Sequence, residues 1–147
     1  MATTPFPGGM REVVAIQCGL GCDQHGQDCV KAARRACCNA IQFVALPHVE
    51  QAQTQPATPC QTGGRQLLIH VKLGVPETMT GGGSSFDAAK KALSADDALK
   101  GIFPYGSLLP LEVVPGGLAF SSGSTLQHLG DESDEMVSVV AAVTVGY

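Results

Sequence analysis

Residues 19–40, Gly19-Leu20-Gly21-Cys22-Asp23-Gln24-His25-Gly26-Gln27-Asp28 followed by CVKAARRACCNA, form the stretch on which the reading of this chain turns. Upstream, EVVAIQC (12–18) alternates with period two and reads as a strand, with Val14, Ile16 and Cys18 on one face and Val13, Ala15 and Gln17 on the other. Gly19, Gly21 and Gly26 then read as a glycine-broken turn, since glycine adopts backbone angles that other residues resist. Asp28 stands where a helix N-cap belongs, and apolar Val30, Ala33, Cys37, Ile41 and Val44 recur at helical spacing to about Ala45, ahead of Pro47. The stretch therefore predicts strand, turn, helix, with two carboxylates, an imidazole and an amide concentrated in the turn.

Working outward, PHVEQAQTQPATPCQTGG (47–64) holds three prolines and almost no large apolar residue, so it reads as a surface loop inserted in a single domain spanning 1–147. QLLIHVKLGV (66–75) alternates clearly: Leu67, Ile69, Val71, Leu73 and Val75 face one way, with Leu68, His70, Lys72 and Gly74 opposite. Glycine-rich TGGGSS (80–85) reads as a mobile loop, and 86–103 as two short helical pieces, the second capped by Ser94 in a Ser-x-x-Asp pattern. LLPLEVV (108–114) is a third strand, with Pro110 marking an edge or a bulge, and MVSVVAAVTVGY (136–147) a fourth. The order strand-helix-strand-helix-strand-strand predicts an α+β fold: a four-stranded sheet with two helices packed on one face.

Composition bounds the function. The chain has 147 residues, 44% of them hydrophobic, enough for one real core. A net charge of −4 gives no basic surface for phosphate, which argues against nucleic acid as a partner. Lys31, Arg34 and Arg35, the one basic cluster, are helical neighbours and read as a solvated face or a local ion-pairing set. MATTPFPGGM lacks a basic run followed by a long apolar core, so the expectation is no leader, no membrane partner and a cytoplasmic protein. The six cysteines show no C-x-x-C spacing and are expected as reduced, small apolar groups.

The chemistry-bearing candidates follow from residue type and position. Asp23 and His25 are the candidate acid/base pair, and Lys72 a candidate catalytic residue as electrostatic stabiliser. Gln27, His70, Glu112 and Ser122 are candidate ligand-binding groups. Asp23, His25 and Asp28 also have the atoms to hold a divalent metal as cofactor, although Asp28 taken alone is a helix cap. Two helices cover one sheet face only. The other face, expected to carry Val13, Ala15, Leu68, Val114, Val140 and Ala142, predicts a homo-oligomer.

GCDQHGQD (21–28) with Lys31-Ala32-Ala33, VKLGVP (71–76), Pro104-Tyr105-Gly106, Glu112-Val113-Val114 with Gly116-Gly117-Leu118, and AVTVGY (142–147) together resemble a small family of Lin-type proteins of unknown function. The resemblance spans nearly the whole chain and departs from the family pattern in the Gln/Pro-rich loop, at Val30 and in the number of cysteines. It implies a fold and carries no activity. A more distant likeness is to the repeated domains of ring-opening amidohydrolases, such as cyanuric acid hydrolase and barbiturase, and to the YjgF-like trimer subunit. That likeness implies three-fold packing and a serine–lysine pair, for which Ser121 or Ser122 and Lys72 are the available residues. Two functions are thus expected: a hydrolase or lyase acting on a small polar or cyclic amide compound, or a non-catalytic oligomer binding a small ligand or metal.

Overall fold

The computed structural model describes residues 6–42, 66–77 and 86–147. Its strands are β1 (Val13–Asp23), β2 (Leu68–Val75), β3 (Ser107–Leu108), β4 (Glu112–Pro115), β5 (Leu118–Ser121) and β6 (Glu135–Gly146); its helices are α1 (Cys29–Gln42) and α2 (Phe86–Leu93). The α+β class holds, but the sheet has six strands rather than four. The 47–64 loop, the 80–85 loop, Cys60 and the expected last turn of the first helix lie outside the described residues.

Long β6 is the hub of the sheet. It pairs antiparallel with β1 on one side and with β2 on the other, and its first four residues pair with β5 beyond the end of β2. Short β3 and β4 lie parallel to β2 on its outer side. The two extra strands come from places where the sequence signal is short. Pro110 splits the expected 108–114 strand: Ile69 pairs with Leu108 and Lys72 with Glu112, so the edge carries one extra residue exactly where proline has no N–H to offer, both an edge and a register slip. Four-residue β5 follows a Gly-Gly pair and has no periodicity long enough to register in sequence.

The first strand is longer than expected, because Gly19 and Gly21 extend it instead of breaking it. A Cβ at Gly19 would strike the backbone of Ala36 and Ala40, and one at Gly21 the backbone of Ala32 and Ala36. The glycines let α1 lie directly against β1, a close backbone approach that any side chain would block. The same proximity selects the buried stripe of α1, which is Cys29, Ala32, Ala33, Ala36, Cys37 and Ala40, while Val30 and Ile41 pack at its margin. It also reverses the expected facing of β1. Gly19, Gly21 and Asp23 point to the helix, whereas Ile16 and Leu20 are paired with Thr144 and Val140 on the open face.

The core lies between the helices and the odd-numbered positions of the sheet. Ile69, Val71, Leu73 and Val75 from β2 meet Val137, Val139, Ala141 and Val143 from β6, all fully buried. This is the alternation that the sequence predicts. After α2 the chain runs through turns with i to i+3 hydrogen bonds from Ala95 to Ile102, not a second helix. Ser94 therefore caps nothing forward: its hydroxyl donates back to the Lys90 carbonyl (2.7 Å) and helps close α2. Arg34 pins this segment to α1, donating to the carbonyls of Ala98 (2.8 Å) and Lys100 (3.2 Å). Among the described residues, no helix is long and apolar enough to cross a membrane.

Candidate active site

The turn between β1 and α1 comprises residues 24–28, shorter than expected, and it is latched to the loop that leads into β6. Antiparallel pairing explains the meeting. Asp23 is opposite Val137, so whatever follows β1 must lie beside whatever precedes β6. Gly26 (φ +87°) and Gln27 (φ +50°) both take left-handed backbone, which costs glycine nothing and strains Gln27. The Gln27 side chain is anchored accordingly. Its amide donates to the Glu135 carbonyl (2.8 Å), and its oxygen accepts from the Glu132 N–H (3.3 Å).

His25 Nδ1 lies 2.9 Å from Asp131 Oδ2. The same carboxylate accepts from the N–H groups of Leu126 (2.7 Å) and Gly26 (2.9 Å). These donors, the Leu126 N–H foremost and then His25, hold the Asp131 carboxyl down at about 2. An ionised carboxylate can only accept, so Nδ1 of His25 must carry the proton that binds it. Nε2 is then the ring atom left to accept, on a side chain that is one-quarter exposed. An imidazole oriented by a carboxylate through Nδ1, with Nε2 left to accept, is equipped for general-base work.

Asp23 is buried and engaged on both oxygens. Oδ1 meets Lys31 Nζ (3.0 Å) and Arg35 Nη1 (3.2 Å), while Oδ2 accepts from the Asp28 N–H (3.0 Å). The half-exposed Lys31 and Arg35 thus form a local ion-pairing set, as one of the two sequence readings has it. Asp28 caps α1, accepting from Val30 (2.9 Å) and Lys31 (3.1 Å). The expected metal set of Asp23, His25 and Asp28 does not converge, because each side chain turns to a different partner. Among the described residues, no three His, Cys, Asp or Glu side chains are placed to hold an ion.

The remaining candidates sit elsewhere. Lys72 bonds Glu112 (2.8 Å) across β2 and β4, with His70 at 3.5 Å from the same carboxylate. The charged Lys72 holds the Glu112 carboxyl below its ordinary value. This group occupies the open face, whereas Asp23 points to the helix face. Lys72 is opposite Ala142 and Asp23 opposite Val137, five residues or roughly 17 Å apart along β6. Ser122 closes its own turn, donating to the Asp134 carbonyl (2.8 Å), and Ser121 bonds the Asp134 side chain. Ser121 is opposite Glu135, seven residues from the Lys72 position, so a serine–lysine pair is not assembled within one chain.

Over residues 13–145 the chain matches the profile of the Lin0512 family, described as conserved hypothetical proteins. The chain belongs to the Lin0512 family. Its fold is similar to the crystal structure, at 1.22 Å resolution, of an FtsZ-like protein of unknown function from Nostoc punctiforme PCC 73102. The two share 31% identity over 93% of this chain and 97% of that one, with a TM-score of 0.64. No curated protein matches this Lin0512 chain.

Proposed function

We propose that this protein is a hydrolase or lyase acting on a small polar or cyclic amide compound, with His25 as general base at the 21–28 turn. The observation that carries the reading is the His25–Asp131 pair, in which a carboxylate held ionised fixes the imidazole tautomer. In such a reaction Nε2 would take a proton from water or from the substrate, and Asp131 would stabilise the resulting imidazolium. Gln27, with its strained backbone, keeps the turn in register with Asp131. Asp23 positions the start of α1 through Asp28, and Lys72 reaches the chemistry only if a neighbouring subunit brings it there.

The second reading is a small-ligand-binding oligomer without turnover. In that reading Nε2 of His25 accepts a hydrogen bond from the ligand and no proton is transferred. Self-association belongs to both readings, and the YjgF-like resemblance points to a trimer or a multiple of it. The five described cysteines are free, which fits a reducing, cytoplasmic setting.

Assays of turnover and of binding on a panel of small cyclic amides, for the parent protein, His25→Ala and Lys72→Ala, separate the two readings. An enzyme loses turnover with His25→Ala while retaining binding. Binding by a parent protein that turns over no member of the panel would leave only the second reading.

A further inference from the structure

We infer that the open face of the sheet is covered by a second copy of this chain. The inference specifies the surface for the self-association proposed above and does not depend on the chemistry at His25. Ile16 (62% exposed), Leu20 (55%), Val140 (42%), Leu118 (65%) and Phe120 (44%) are large apolar side chains that all project from this one face. They are contiguous: Leu20 is paired with Val140, and Leu118 is opposite Ser138, the next position of β6 on the same face. Apolar surface gathered in this way marks an interaction site, whereas scattered exposed residues do not.

Size and charge select the occupant. Three to four strands at about 4.8 Å spacing along an 11-residue β1 give a face roughly 15–20 Å by 35 Å, about 500–700 Å², of the order of the ~800 Å² that each partner contributes to a standard interface. The face carries its own charge balance. Lys72 is neutralised by Glu112 within the chain, so a covering surface need not supply an opposite charge. A strongly basic or acidic partner gains nothing here. Another copy presents the same apolar patch and the same neutral pair, and two such sheets can pack face to face.

The test is the solution mass at micromolar concentration of the full chain, of Leu20→Asp/Leu118→Asp, and of Lys91→Glu on exposed α2 as a charge control. The parent and Lys91→Glu are expected to run as the oligomer and the double variant as a folded monomer, with folding checked by circular dichroism. Alkylation gives a second readout on Cys18, which is exposed between Ile16 and Leu20: it should be protected in the parent and labelled in the double variant. A monomeric parent overturns both self-association and this surface, leaving the face to a different protein. An oligomeric parent whose double variant stays assembled, with Cys18 labelled equally in both, overturns this surface alone. Dissociation of Lys91→Glu as well would trace assembly to net charge and overturn it too.

Discussion

His25 Nδ1 and Asp131 Oδ2 are 2.9 Å apart across 106 positions of sequence, and this contact joins the two ends of the latch beside β6. If it orients a general base, its two members differ in how much they matter. Replacing His25 with Asn removes the base, and turnover should fall by about 10² to 10⁴-fold. Asp131→Asn keeps the ring but can present an N–H to Nδ1, favouring the wrong tautomer. It should lower turnover with little change in KM, as steady-state kinetics of both variants would show.

Asp131 also sets an acid limb of stability. Its carboxyl lies at about 2 in the fold against an ordinary 3.8, so the native state binds its proton later than the unfolded chain does. The stabilisation is complete above about 3.8 and disappears as pH falls through about 2. Denaturation across that window should show a steeper loss for the parent than for Asp131→Asn.

Gly21→Ala puts a methyl group into the backbone of α1 at Ala32 and Ala36. Neither backbone can yield without moving a helix whose inner face is buried from Cys29 to Ala40. The expected cost is about 3 kcal/mol, read from urea unfolding. Gly101→Ala, where a Cβ meets open space, tests the opposite case: only its left-handed backbone (φ +78°) resists, and the cost should be about 1 kcal/mol.

The thiols should divide by burial. Burial pushes Cys29 up to about 11, with the Asp28 and Asp23 charges adding to it, and Cys37 up to about 12 despite the opposing Arg34, so neither forms thiolate near neutrality. Iodoacetamide applied to the native protein should label exposed Cys38 and spare Cys29 and Cys37. In denaturant all three should react. Because both folded values exceed the ordinary 9.0, their contribution to stability holds below 9.0 and is lost as pH rises toward 11 and 12.

The long elements were legible because their periodicity is long. β2 and β6 alternate over eight and twelve residues, and the side that faces the core follows directly from that alternation. The facing of β1 was not legible, since its inner positions are glycines and the apolar residues, Ile16 and Leu20, mark the outer face instead. Asp131 is not legible in the sequence for a related reason. It sits in an acidic run that reads as solvated loop, and only the antiparallel pairing of β1 with β6 brings position 131 beside position 25. Residues that follow one strand of an antiparallel pair lie beside those that precede the other, and it is this relation that links the two positions.

The place of β6 at the centre of the sheet governs how the chain reaches its fold. β1, β2 and β5 all pair with it, and β1 is separated from it by more than a hundred residues. During synthesis the first strand and helix emerge with no sheet to join until residues 135–146 arrive. Closing so long a loop is entropically unfavourable and makes for slow, late-committing kinetics. The nascent chain therefore spends its synthesis with the apolar side chains of β1 unpaired, open to chaperones and to aggregation until β6 docks.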